Sequence, residues 1–303
     1  MKKVISISLG SSKRNHRVET TILGEDFIIE RQGTDGDMPK AIELIKQYDG
    51  KVDAFGLGGA DLYVFAGSKR YVIRDAKKMA MAARKTPIVD GSGLKNTLER
   101  RVINYLKNSA GISFEDKKTL LVSGADRFGM AQAINEAGGQ MVFGDLIFTL
   151  GIPVRLHSLK ALERTVRILA PVVCQLPFKY LYPTGVKQEQ ASAKQSYAQY
   201  YDEADIIAGD FHYIKKHLPE RVGNKIIITN TVTASDVADL SRRGVRLLVT
   251  TTPELNGRSF GTNVMEAALM ALSKKGKKEI TSNEYDELLT QIGFKPRMEY
   301  FSQ

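Results

Sequence analysis

Leu120-Leu121-Val122-Ser123-Gly124-Ala125-Asp126-Arg127-Phe128-Gly129-Met130-Ala131 runs from an apolar strand through a glycine turn into the start of a helix. A nucleotide-binding βαβ unit needs that order: glycine permits the sharp bend, and a helix N-terminus presents unpaired amides to a phosphate. A second apolar strand, Gln140–Phe143, ends in Gly144-Asp145, 21 residues beyond Gly124. An acid at that spacing is placed to accept hydrogen bonds from an adenosine ribose. Of a full G-x-G-x-x-G turn only Gly124 and Gly129 are present; Asp126 and Phe128 stand where close backbone approach is wanted.

Outward from this unit, apolar strands at Asp205–Ala208, Lys225–Thr229 and Arg246–Thr250 alternate with helical stretches at Leu159–Leu169, Ser235–Arg243 and Asn263–Ser273. Asn263 and Glu266 read as the capping pair of the last helix. Strand-helix alternation predicts a Rossmann-like, doubly wound parallel sheet over residues 113–275. Upstream, residues 1–112 read as a mixed α/β substrate domain. Lys3–Leu9, Val18–Leu23 and Phe27–Arg31 are strands whose short spacings predict antiparallel hairpins. Asp37 caps a helix with Pro39 in its first turn, and Val52–Leu57 is a further strand. Residues 276–303 read as a helical tail.

Composition narrows the class. The 303 residues carry 44 Lys and Arg against 34 Asp and Glu, a net charge of +10, with the basic residues in scattered pairs rather than a tract. Neither zinc-finger spacing nor an RNA-type aromatic motif accompanies them, so no specific nucleic-acid partner is expected. Such an excess can favour phosphorylated or carboxylated small molecules, nucleic acid or an acidic surface, and in scattered pairs it reads first of all as solvated helix faces. A single cysteine, Cys174, excludes an intramolecular disulfide and a thiolate zinc site, and no metal is expected. With no run long enough for a membrane helix and no signal-peptide core, the reading is a cytoplasmic protein.

In an open parallel sheet ligands collect beyond the carboxyl ends of the strands. Here those ends read Ser123-Gly124, Asp145, Gly209-Asp210-Phe211-His212, Thr229-Asn230 and Thr250-Thr251. His212 is the candidate for proton transfer, because imidazole titrates near neutrality. Asp210 beside it and Lys187, after the rigid Tyr182-Pro183-Thr184-Gly185 turn, complete the catalytic set. Ser123, Gly124, Arg127, Gly129, Asp145, Asn230 and Thr251 form the cofactor set, with Arg127 at phosphate. Arg258 and Ser259 precede a helix start and, with Tyr182, form the substrate set. Gly10-Ser11-Ser12-Lys13-Arg14 is a further anion candidate.

Ser123–Ala131, Phe143–Leu146, Leu181–Gly185, Ala208–His212 and Gly257–Asn263 together resemble an uncharacterised bacterial family that carries the label quinate 5-dehydrogenase. More distantly, a small α/β domain ahead of a nucleotide-binding domain is similar to shikimate and quinate dehydrogenases. The resemblance implies an oxidoreductase that moves hydride between NAD and a small, anionic hydroxy or carbonyl compound, with NADP left open. It carries over no catalytic residue, because the family's Asn-Val-Thr-x-Pro-x-Lys motif is missing. Short-chain dehydrogenases are set aside, since none of the twelve tyrosines has lysine four residues later. The alternative is a non-catalytic nucleotide- or anion-binding, sensor-like protein. A homodimer is the assembly considered.

Overall fold

The computed structural model describes residues 1–67, 69–177, 197–252, 254–255, 258–259, 261–273, 275–276 and 278–301. The first lobe contains β1 (Lys2–Ser8), β2 (His16–Ile22), β3 (Glu25–Gly33), α1 (Met38–Tyr48), β4 (Ala54–Gly58), β5 (Tyr63–Ala66), β6 (Lys69–Val72), α2 (Arg74–Ala80) and β7 (Ile88–Val89). α3 (Ser92–Asn108) leads into the second lobe. There follow β8 (Lys118–Leu121), α4 (Phe128–Glu136), β9 (Gln140–Phe143), α5 (Asp145–Leu150), α6 (Leu159–Val173) and α7 (Ala198–Asp202). Then come β10 (Ile206–Gly209), α8 (Phe211–His217), β11 (Ile226–Thr229), α9 (Ala234–Arg242), β12 (Leu247–Thr250), β13 (Glu254–Leu255) and β14 (Arg258–Ser259). The chain closes with α10 (Thr262–Ser273), α11 (Ser282–Gln291) and β15 (Arg297–Tyr300).

The second sheet has the order β15-β12-β11-β10-β8-β9, with every pair parallel except β12–β15. Its parallel part is doubly wound, as the alternation predicts. Ile206–Gly209, Ile226–Thr229 and Leu247–Thr250 are buried throughout, because helices cover both faces. The closing segment holds the expected helix and, beyond it, the edge strand β15.

The first sheet has the order β2-β3-β1-β4-β7. β2 and β3 form the antiparallel hairpin read from the sequence. β1 does not join them as a meander; it pairs in parallel with β3 and β4. Burial explains the difference. β1 is buried from Val4 to Ser8 and belongs in the middle of a sheet, whereas β2 alternates half-buried and exposed residues and belongs at an edge. Asp37 caps α1 by accepting from the amide of Lys40, and Thr233 caps α9 in a reciprocal box with Asp236.

Two passages of chain join the lobes. α3 leaves the end of β7 and packs on α4, while α10 returns to pack on β4 and β1. Asn263 and Glu266 were expected to cap α10, and neither does. Asn263 lies inside the helix and donates from Nδ2 to Ser6 Oγ at 2.7 Å. It rests on Gly56 and Gly58, where a Cβ at Gly56 would sit 2.9 Å from Asn263 Nδ2 and from its carbonyl oxygen. Glu266 is buried, and its Oε1 accepts from Tyr285 Oη at 2.5 Å. Burial and the neighbouring Asp90 push its carboxyl up to about 8.

Among the described residues, no helix is long and apolar enough to cross a membrane. None of their His, Cys, Asp and Glu side chains form a group of three or more that could hold a metal ion.

Gly56→Ala is expected to destabilise the protein by about 1–3 kcal/mol, because backbone rather than a flexible tip must give way. Urea denaturation followed by circular dichroism measures it. Glu266 binds its proton more tightly folded than unfolded, so its stabilising contribution is complete below about pH 4 and is lost as pH rises through about 8. Glu266→Gln, which keeps an acceptor for Tyr285, should therefore match the parent in Tm at pH 5 and exceed it at pH 8.5.

Candidate functional site

The parallel strands of both sheets turn their carboxyl ends toward a shared cleft of about 640 Å³. The first lobe contributes Ser8 and Gly10 after β1, and Gly58 through Asp61 after β4. The second contributes Ser123 and Ala125 through Arg127 after β8, Asp210 and His212 after β10, and Asn230 after β11. Strand ends collect polar residues because the helices that follow need caps and the backbone there leaves the ladder.

At the turn after β8, the Asp145 carboxylate accepts from the amide of Gly124 at 3.0 Å and from that of Ala125 at 2.8 Å. Burial lifts its carboxyl to about 6 against the pull of those two amides. Gly124 is required there, since a Cβ would stand 2.7 Å from the Phe143 ring and 2.9 Å from Leu162. A Cβ on Gly129 would stand 2.9 Å from the Asn96 carbonyl oxygen, so this glycine permits the α3–α4 contact. Arg127, expected at a phosphate, is turned inward and is 2 % exposed. Its guanidinium bonds Glu99 of α3 and reaches Asp210 Oδ2 at 3.2 Å. Asp126 is held by Lys95 Nζ at 2.5 Å, and the same ammonium reaches Asp61 at 3.1 Å.

Asp210 caps α8, with Oδ1 accepting the amide of His212 at 2.9 Å and Oδ2 accepting Asn230 Nδ2 at 2.8 Å. Burial would raise its carboxyl, but His212, Arg127 and the His212 amide outweigh burial and hold it at about 2. The Asn230 Oδ1 accepts the amide of Phe211 at 3.1 Å. Burial lowers the His212 imidazole below its ordinary range, which favours the neutral ring, a proton acceptor.

The structure thus brings Ser123, Arg127, Asp145, Asp210, His212 and Asn230 to one cleft, with Gly124 and Gly129 behind its wall. Thr251 is fully buried away from the cleft. Tyr182 and Lys187 lie outside the described residues. So do the side chains of Arg258 and Ser259, whose backbone forms β14 opposite β13. The sequence reading missed Lys95, Asp61, Arg31 and Lys216. Arg31 reads there as the polar end of a strand, and Lys95 as one more charge on a helix.

Charge sorts along the cleft. Around the β8–α4 turn five acids, Asp61, Glu99, Asp126, Asp145 and Asp210, surround two cations, Lys95 and Arg127. A dinucleotide diphosphate does not fit this arrangement: two of the turn amides are held by Asp145, and acids outnumber cations. The other end is basic. Lys13 and Arg14, on the 3-10 turn Ser12–Arg14, meet Arg31 of β3 and, from the second lobe, Lys216 and His212. Arg14 Nη1 lies 3.5 Å from His212 Nε2 across the cleft. Arg31 donates to Ser11 O and Ser8 Oγ, both at 3.0 Å. Burial, with Arg14 beside it, pushes Arg31 down to about 10. Among the described residues no carboxylate comes within 4 Å of Arg14 or Arg31.

Known proteins place the chain in a family without assigning it an activity. At 11 % identity, 96 % of this chain and 84 % of an NAD-dependent malic enzyme from Thermotoga maritima align with a TM-score of 0.37. A galactofuranose-binding protein aligns at 11 % identity over 97 % of this chain and 99 % of its own, with a TM-score of 0.38. A periplasmic ribose ABC transporter protein from Conexibacter woesei aligns at 10 % identity over 95 % and 94 %, also at 0.38. No curated protein matches the chain. Residues 3–90 match the family described as Domain of unknown function (DUF8753). Residues 93–301, more than half of the chain, match the one described as Domain of unknown function (DUF8754), and the chain belongs to that family.

Proposed function

We propose that the cleft between the lobes binds a small organic anion, with its charged group between Arg14 and Arg31 of the first lobe and His212 and Lys216 of the second. One observation carries this reading: two half-buried guanidiniums stand side by side facing the cleft, with no carboxylate within 4 Å of either among the described residues and Asp35 acting on Arg31 only from farther off. Like charges brought together out of water are costly, and an anionic ligand offsets that cost. Because the cationic groups come from both lobes, the ligand is gripped across the cleft. His212, neutral and held at its amide by Asp210, is placed to accept a proton from a hydroxyl of the bound compound.

A second reading, an NAD-dependent oxidoreductase acting on that anion, is favoured by the doubly wound strand order and by Asp145 at the end of β9, next to the turn. It requires Asp145 to release the amides of Gly124 and Ala125 to a diphosphate.

Isothermal titration with a panel of small carboxylates and phosphate esters should find saturable binding that weakens as salt is raised. Arg14→Ala should weaken it by about 10- to 100-fold, the worth of a charge-assisted hydrogen bond. Binding that is indifferent to Arg14→Ala and Arg31→Lys counts against the cleft as the anion site. NADH should give no saturable fluorescence change at millimolar concentration. A saturable change that disappears in Asp145→Ala would put the redox reading first.

A further inference from the structure

The cleft has a third region that neither the basic corner nor the acid-rich turn explains. Its opposite end is apolar, lined by Val64 and Ile73 of the first lobe and by Leu146, Val166, Leu169 and Val173 of the second. Topology separates the two ends. In the first sheet the cations sit at β3 and the β1–β2 connection, whereas Val64 and Ile73 follow β4 on the other side of β1. In the second, His212 and Lys216 follow β10, whereas Leu146 and α6 follow β9 at the far edge of the sheet. α6 packs against β5, which closes the apolar end from the side. Leu169 and Val173 are only half-buried, on the α6 face that lines the cleft.

We infer that the compound taken by the cleft is an anionic amphiphile: a phosphate or carboxylate head at Arg14 and Arg31, joined to an apolar body that lies along α6. The inference rests on the reading of the basic corner as the anion site and adds the chemistry of the rest of the molecule. A small polar anion would leave the α6 wall against water, and an apolar compound without charge would leave the two guanidiniums with no anion in contact. Both ends are satisfied by one molecule that spans them. The volume is in the range of sites for ligands far larger than a lone phosphate, which commonly run from roughly 300 to 1,000 Å³. Between the ends, Lys95 bonds both Asp61 and Asp126, so its charge is already taken and the surplus of acid there keeps an anionic head at the basic corner.

The test compares methyl phosphate, n-hexyl phosphate, acetate, hexanoate and n-hexanol by isothermal titration on the full chain, all below aggregating concentrations. Each methylene buried should tighten binding about threefold to fourfold, so hexyl phosphate should bind at least about thirtyfold more tightly than methyl phosphate. Leu169→Asn, at a half-buried position, should remove most of that gain and leave methyl phosphate unchanged. Arg14→Ala should weaken both phosphates alike. Comparing hexyl phosphate with hexanoate identifies the preferred head group, and a chain-length gain with either supports the amphiphile. Equal affinity of methyl and hexyl phosphate, both sensitive to Arg14→Ala, overturns the amphiphile and leaves the anion site standing. Hexanol binding as tightly as hexyl phosphate, untouched by Arg14→Ala, overturns both. No binding by either phosphate or by hexanoate also overturns both.

Discussion

A guanidinium that keeps its proton at any ordinary pH is buried where the lobes meet, and much of the site is arranged around it. Arg127 sits at the entry to α4, nearly inaccessible to water, and a charge in that position must find carboxylates or be expelled. It finds Glu99 on α3 and Asp210 at the end of β10. Those partners are distant in sequence, so the pairing fixes the helix that joins the lobes against the central strands of the second sheet. Asp210 then passes the constraint outward: it holds Asn230 with one oxygen and the first turn of α8 with the other, which sets His212 facing Arg14. A residue that the sequence offers as a phosphate contact serves instead to position the groups at the cleft.

That arrangement shapes the electrostatics of the cleft. The acids needed to compensate Arg127 and Lys95 gather around the β8–α4 turn, and their number makes that region unfavourable for a diphosphate. Of the basic residues on the β1–β2 connection and β3, Arg31 feels one acid, Asp35, and among the described residues no carboxylate is within 4 Å of Arg14 or Arg31. Within the cleft, positive charge is therefore gathered at one corner, away from the acids of the turn.

Much of the fold is legible in the sequence because it is written in periodicity. Gln140–Phe143 reads as a strand with its observed bounds, and the apolar runs read as strands over Lys225–Thr229 and Arg246–Thr250 hold the covered strands Ile226–Thr229 and Leu247–Thr250. Legibility ends where meaning depends on long-range contacts. Asn263 and Glu266 have the spacing of a capping pair, yet the one is drawn to Ser6 and the other to Tyr285. Gly124 and Asp145 have the spacing of a dinucleotide turn, yet in this fold they bond each other. Arg31 carries no local signal, because its importance comes from Arg14, seventeen positions earlier and brought close by a connection between strands. His212 and Asp210 were legible as a pair through the abrupt change from apolar strand to polar end.

The route from β1 to β3 explains why the cationic corner lies open to the cleft. Parallel strands are usually joined by a helix that crosses one face of the sheet. Here β2, a strand at the sheet edge, takes that part, so the chain leaves β1 through the Ser12–Arg14 turn beside the carboxyl ends of β1 and β3. That turn satisfies its own backbone: the Ser12 amide donates to Asp35, the Lys13 amide to Ser11 Oγ and the Arg14 amide to Ser11 O. With those amides committed, the turn is not the backbone anion nest that its glycine and serines suggest. What the turn offers an anion is therefore the side chains of Lys13 and Arg14, with Arg31 beside them. Guanidiniums bind planar and tetrahedral oxyanions through forked donors, and longer side chains reach across a gap that amides cannot. An edge strand in place of a crossover helix thus turns a serine-rich turn into the charged wall of an interlobe cleft.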